Sequence, residues 1–131
     1  MPTTPRPTDA ELAVLRVLWA HGPSTVREVH TAMAGKRTVA YTTTLKVLQV
    51  MTAKGLTVRE DRGTQHVYRA RHAEARMQRR LVRDLLDRAF GGSTSQFVMQ
   101  ALASRKTSPG ELREIRRLLD ARAQEHEEEE E

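Results

Sequence analysis

Apolar positions recur at i, i+3, i+4 and i+7 between residues 38 and 56, so that a helix drawn there buries Thr44, Val47, Leu48 and Met51 on one side. The opposite side presents Thr42, Lys46 and Gln49, with Thr43 on its flank, and Gly55 stands where such a helix should end. An earlier stripe of Leu12, Leu15, Leu18 and Trp19 begins after Thr8-Asp9-Ala10-Glu11. In that pattern the threonine hydroxyl accepts from the backbone of the glutamate, whose carboxylate reaches back. His21-Gly22-Pro23 stops the helix, because proline cannot continue the hydrogen-bond ladder. A second box, Thr25 to Glu28, opens a short helix with Val26, Val29 and Met33 inward, and Ala34-Gly35-Lys36-Arg37 follows as a basic turn. Two short helices and a turn ahead of a longer, polar-faced helix is a helix-turn-helix layout.

Beyond Gly55 the alternation changes to that of strands. Thr57-Val58-Arg59-Glu60 and His66-Val67-Tyr68-Arg69 are short and β-rich, and Asp61 to Gln65 joins them through Gly63. With Arg59, Arg62, His66, Arg69 and Arg71, this hairpin reads as basic on and around its tip. Three helices followed by a basic hairpin predict a winged helix-turn-helix, with the third helix in a DNA major groove and the hairpin along the backbone or in the minor groove. Hydroxyls, an amide and cations are the groups that meet phosphates and base edges. The candidate DNA-binding residues are therefore Thr25, Arg37, Thr42, Thr43, Lys46, Gln49, Arg59, Arg62 and His66.

Residues 73 to 90 carry one long helical pattern, with Met77, Leu81, Leu85 and Ala89 flanked by Val82, Leu86 and Phe90. Its N-terminal part is crowded with Arg76, Arg79, Arg80 and Arg83, read here as a solvated face. Gly91-Gly92 breaks the helix, a shorter one with Phe97, Val98, Ala101 and Leu102 follows, and Ser108-Pro109-Gly110-Glu111 caps a last helix bearing Leu112, Ile115, Leu118 and Leu119. So few helices bury such stripes poorly alone, which makes pairing with a second copy the economical solution. The residues expected at a dimer contact are Leu81, Leu85, Phe90, Phe97, Leu102, Leu112, Ile115 and Leu118.

The expected fold is mainly α with a small β-hairpin: an N-terminal winged helix-turn-helix plus a C-terminal helical dimerisation region. Residues 1–7 read as a Pro-rich flexible lead, 8–72 as the DNA-binding domain, 73–124 as the dimerisation domain and 125–131 as a disordered, self-repelling acidic tail. Charge follows this division. Residues 1–71 hold eleven Lys/Arg against five Asp/Glu, a net of +6, whereas residues 91–131 hold six against nine, a net of −3. A basic head on an acidic assembly segment suits a polyanion ligand. With 38% hydrophobic and 4% aromatic residues, the core of a monomer would be thin.

The chain has no cysteine, which removes disulfides, thiolate metal sites and a cysteine nucleophile together. The histidines at 21, 30, 66, 72 and 126 lack metal-ligand spacing, and Tyr41 and Trp19 read as packing residues rather than stacking platforms. No catalytic constellation, cofactor motif or metal site is legible, so an enzyme is not expected. With no long apolar run and no signal-peptide core in Met1 to Pro7, the expected location is the cytoplasm, without direct membrane association.

Four ordered segments carry a resemblance. Glu11 to Trp19, Gly22 to Val29, Ala40-Tyr41-Thr42-Thr43 through Lys54-Gly55-Leu56, and His66-Val67-Tyr68 together resemble the penicillinase-repressor family of transcriptional repressors, over roughly residues 8 to 122. The resemblance implies a homodimeric repressor in β-lactam response and antibiotic resistance, bound to palindromic operators with TACA/TGTA-type half-sites. It further implies induction by a membrane-bound sensor protease that cleaves the helix after the Gly-Gly break. The bond matching the cleaved one is Gln100-Ala101, where well-known members have Asn-Phe. Several relatives carry a basic residue where this chain has Val50, and copper-responsive cousins end in a cysteine cluster that is absent here. The alternative, suggested by Val50 and the acidic end, is a protein-interaction adaptor that keeps the winged helix but has lost specific DNA binding.

Overall fold

Both threonine caps form. In the computed structural model, which describes residues 6–35 and 39–130, helix α1 (Asp9–His21) begins where the Glu11 N–H donates to Thr8 Oγ1 at 3.2 Å and the Thr8 N–H donates to Glu11 Oε1 at 2.9 Å. Helix α2 (Val26–Met33) repeats this reciprocal cap with Thr25 and Glu28, at 3.2 and 3.0 Å. Each cap satisfies backbone donors that the first helical turn leaves open. Helix α3 (Tyr41–Lys54) ends at Gly55, whose φ of 82° puts it in the left-handed region that a side chain would resist.

The hairpin strands are longer than predicted. Strands β2 (Thr57–Arg62) and β3 (Gln65–Ala70) pair antiparallel from Thr57 opposite Ala70 to Arg62 opposite Gln65, and Gly63 (φ 64°) makes the tight reversal. A strand not foreseen in the sequence, β1 (Ser24–Thr25), pairs with the far edge of β3, giving the order β1-β3-β2. The small hairpin is thus two-thirds of a three-stranded sheet. Ser24 is held extended by its pairing with Tyr68 of β3, and its hydroxyl donates to Gly22 O at 2.8 Å.

Two compact units divide between Arg83 and Asp84. The core of the first combines Val14, Leu15 and Leu18 of α1, Val29 of α2, Leu48 and Met51 of α3, and Leu56 and Tyr68 of the winged end. The predicted α1 face is rotated slightly: Val14 is buried while Leu12 and Trp19 are half-buried, and the Trp19 indole donates to His72 O at 2.9 Å. Helix α4 (Glu74–Ala89) contributes Met77, only 3% exposed, to this core, with Leu81 packed partly against it. The first unit therefore runs past the boundary expected at residue 72, because Met77 fills a place in the core of the head.

The second unit contains the end of α4, then α5 (Thr94–Ser104) and α6 (Pro109–Glu130). Gly92 donates to Leu86 O at 2.9 Å to close α4, Ser93 caps α5, and Phe90 meets Phe97 edge to face at 5.4 Å. Ser108 caps α6 by accepting from Glu111 N at 3.1 Å. Neither α5 nor α6 buries a single residue, and Leu102, Leu112 and Leu118 are exposed. Helix α6 continues through Glu130, over the residues where the sequence predicts a disordered tail. Arg122 pairs with Glu125 at 3.4 Å and offsets part of the glutamate repulsion, and His126 Nε2 meets Glu130 Oε1 one turn on at 3.2 Å.

Candidate nucleic-acid interface

Helix α3 is divided cleanly by its own periodicity. Thr44, Leu48 and Met51 face the core, and Thr42, Thr43, Lys46, Gln49, Val50 and Ala53 face outward. The buried Thr44 hydroxyl is satisfied by His30 Nδ1 at 3.1 Å, and the His30 ring meets Tyr41 edge to face at 5.7 Å. The Arg27 guanidinium lies 5.6 Å from the Tyr41 ring centre, a cation–π distance. Arg27 and His30 of α2 thus hold the first turn of α3, setting the direction in which its polar face points. Tyr41, expected from the sequence to be a packing residue, packs on these two side chains while remaining 41% exposed. The one-turn spacing of Arg27 and His30 opposite an aromatic at the start of the next helix was the available signal.

The far end of α3 is fixed by an ion pair. Lys54 Nζ reaches both oxygens of Glu11 at 3.1 and 3.0 Å, and Glu11 is 4% exposed. Burial opposes its ionisation, but the Thr8 N–H, the Lys54 ammonium and the Thr8 hydroxyl outweigh that cost and hold the carboxyl below its ordinary range. Lys46 has no ion-pair partner among the described residues, so its charge is available to a ligand.

Two grooves flank the outward face. One, of about 510 Å³, is bordered by Thr42, Thr43, Lys46, Val50 and Lys54. The other, of about 570 Å³, lies between α3 and the sheet and brings Gln49 and Ala53 together with Arg59 and Arg71. Thr25 spends one lone pair as the cap of α2, leaving its hydroxyl hydrogen free to donate elsewhere. Arg37 lies outside the described residues.

The wing is less basic than its arginines suggest. Glu60 pairs with Arg69 at 2.8 Å and with Arg62 at 3.4 Å, while Asp61 pairs with His66 at 2.6 Å and with Arg59 at 3.4 Å. The Arg69 hydrogen bond, assisted by that of Arg62, holds the Glu60 carboxyl below its usual range against the cost of burial. These two acids moderate the positive tip without removing it. Among the described residues no cluster of three or more His, Asp or Glu is placed to hold a metal ion, and no helix is long and apolar enough to cross a membrane.

Three helices closed by a three-stranded sheet with a projecting hairpin define a winged helix-turn-helix protein. The model of the penicillinase repressor family matches residues 7–121, and the chain belongs to that family, one of repressors rather than enzymes. It is 37% identical over 91 residues to the transcriptional regulator BlaI of Mycobacterium tuberculosis (strain H37Rv), covering 67% of this chain and 64% of that relative. Among solved structures it is similar to the monomeric form of Bacillus licheniformis BlaI in complex with the blaP half-operator, with 28% identity and a TM-score of 0.50 over 57% of this chain and 92% of that one. The DNA-binding domain of the repressor BlaI, solved in solution, matches with the same identity, coverage and TM-score.

Proposed function

We propose that this chain is a cytoplasmic transcriptional repressor that binds palindromic operator DNA as a homodimer. The observation that carries the reading is the outward arc of α3: Thr42, Thr43, Lys46 and Gln49 stand exposed on a helix pinned at one end by Arg27 and His30 and at the other by Glu11. Such a rigid polar face suits major-groove readout, where hydroxyls, amides and amines pair with base edges and phosphates. Arg59, Arg62 and His66 of the wing supply contacts to the backbone. The similarity to a repressor whose structure includes a half-operator supports the same role for the head.

Dimerisation is assigned to the second unit. Helices α5 and α6 bury nothing on their own, and Leu85, Leu102, Leu112 and Leu118 are exposed on them and on the end of α4. Phe90, Phe97 and Ile115 are half-buried beside them. A second copy covering these residues by two-fold symmetry would place two α3 helices on an inverted repeat. Relief of repression is assigned to cleavage at Gln100-Ala101 by a membrane-bound sensor protease. Both residues are exposed on α5.

Selection from a pool of random duplexes tests the reading. The full chain should enrich a single inverted-repeat sequence; a pool that stays random after repeated rounds would contradict it.

A further inference from the structure

Two outward positions of α3, Val50 and Ala53, do not share the polar chemistry of their neighbours, and Val50 is the larger. Val50 is 40% exposed, in an arc otherwise made of Thr42, Thr43, Lys46, Gln49 and Ala53. A lone surface valine needs no explanation in general; its setting is what distinguishes this one. Val50 lies one helical turn after Lys46 and one turn before Lys54. It borders the 510 Å³ groove, whose wall continues apolar through Val47 and Ala10. The ammonium of Lys54, the cation one turn beyond Val50 on this helix, is held by Glu11 at 3.0 and 3.1 Å. A β-branched side chain in a helix is fixed at χ1, so its methyl groups are presented with little left to order on binding.

We propose that Val50 reads the 5-methyl group of a thymine in the major groove. This rests on the DNA-binding reading of α3. The thymine methyl is the apolar group that base edges offer in that groove, next to the O4 acceptor. Packing the valine methyls against it removes apolar surface from water on both sides. Against a purine, the same side chain would cover the N7 acceptor without offering it a donor, which leaves a polar atom unpaired. Val50 therefore favours thymine and disfavours purines at one position, while Lys46, one turn away, adds attraction that tolerates sequence. A lysine or arginine at the same place would reverse the preference towards guanine, whose N7 and O6 accept from a cation.

Deoxyuridine substitution isolates the methyl group. The duplex enriched by the full chain from a random pool is remade with each thymine replaced in turn by deoxyuridine, and binding is measured for the unaltered chain, Val50→Ala and Val50→Lys. One thymine per half-site should weaken binding by about fourfold when its methyl is removed, the factor expected for one buried methyl-sized group. Both variants should be indifferent to that replacement, and Val50→Lys should select guanine there. An enriched duplex in which every deoxyuridine replacement affects the unaltered chain and Val50→Ala alike overturns this inference and leaves the DNA-binding reading intact. A pool that yields no enriched duplex overturns both.

Discussion

Lys54 and Glu11 join the last turn of α3 to the first turn of α1, with the lysine ammonium 3.1 and 3.0 Å from the two oxygens of a carboxylate that is 4% exposed. The same carboxylate caps α1 through Thr8, so one side chain sets both the start of the first helix and the end of the third. Removing Lys54 would leave a charge in the head with too little compensation. Lys54→Met should cost about 1–3 kcal/mol of stability at neutral pH, read as a lower urea midpoint with an unchanged slope. The folded-state pKa of Glu11 lies below its ordinary value of 4.5, so the ionised form is the stabilising one. Its contribution is complete above 4.5 and is lost as pH falls through the folded value. The difference between the two proteins should accordingly narrow on acidification, and a difference that stays constant to low pH would assign the loss to packing of the lysine stem.

Lys46 carries the unpaired charge on the outward face of α3. Lys46→Ala should weaken binding to the enriched duplex by about 1–3 kcal/mol if the amine meets a base edge. If it meets phosphate, the loss should be equal on all sequences and the salt slope should shrink by about one. Titrations across a salt series separate the two, and an unchanged affinity for the Thr43, Lys46 double alanine variant would mean that another face binds DNA.

Glu60 restrains the wing by pairing with Arg69 and Arg62. Glu60→Gln should release both guanidinium groups and raise affinity for random duplex severalfold at low salt, with the gain fading as salt rises. Arg62→Glu should do the reverse, reducing specific and random binding by comparable factors, if the tip meets backbone or the degenerate minor groove. A change confined to one operator sequence would instead mean that the wing reads bases.

Leu118 is 61% exposed on α6, among the apolar residues assigned to the dimer contact. Leu118→Asp should shift the chain to a monomer in sedimentation at micromolar concentration and weaken operator binding by a factor of roughly 10² or more, as the second linked head is lost. A chain ending at Gln100 should behave in the same way. If either still dimerises and binds as the full chain does, the assignment of assembly and of cleavage-induced release fails.

Local features were legible in the sequence where local chemistry determines them. The caps at Thr8 and Thr25 depend on residues three apart, the turn at Gly55 on one glycine, and the inward face of α3 on helical periodicity. Strand β1 was not, since its two residues have no periodicity of their own and are extended because the edge of β3 receives them. Nor was the restraint on the wing: Asp61 meets His66 because the register places them opposite one another, and composition alone does not say which charges meet. The bond between Glu11 and Lys54 spans 43 positions, beyond any local pattern. For the tail, glutamate repulsion argued for disorder, whereas helix α6 continues through Glu130, with Arg122 paired to Glu125 and His126 beside Glu130. Of the candidate interface, Thr42, Thr43, Lys46 and Gln49 could be read from periodicity, while the posts that hold their helix, Arg27, His30 and Tyr41, required the packing of α2 against α3.

Sequence-specific binding by the outward face of α3 is tested most directly by the ratio of affinities for the enriched inverted repeat and a scrambled duplex of the same composition, measured with the full chain at moderate salt. The expected ratio is about 10³ or more, falling sharply when one half-site is scrambled. A ratio near one, unaltered by destroying either half-site, would contradict it.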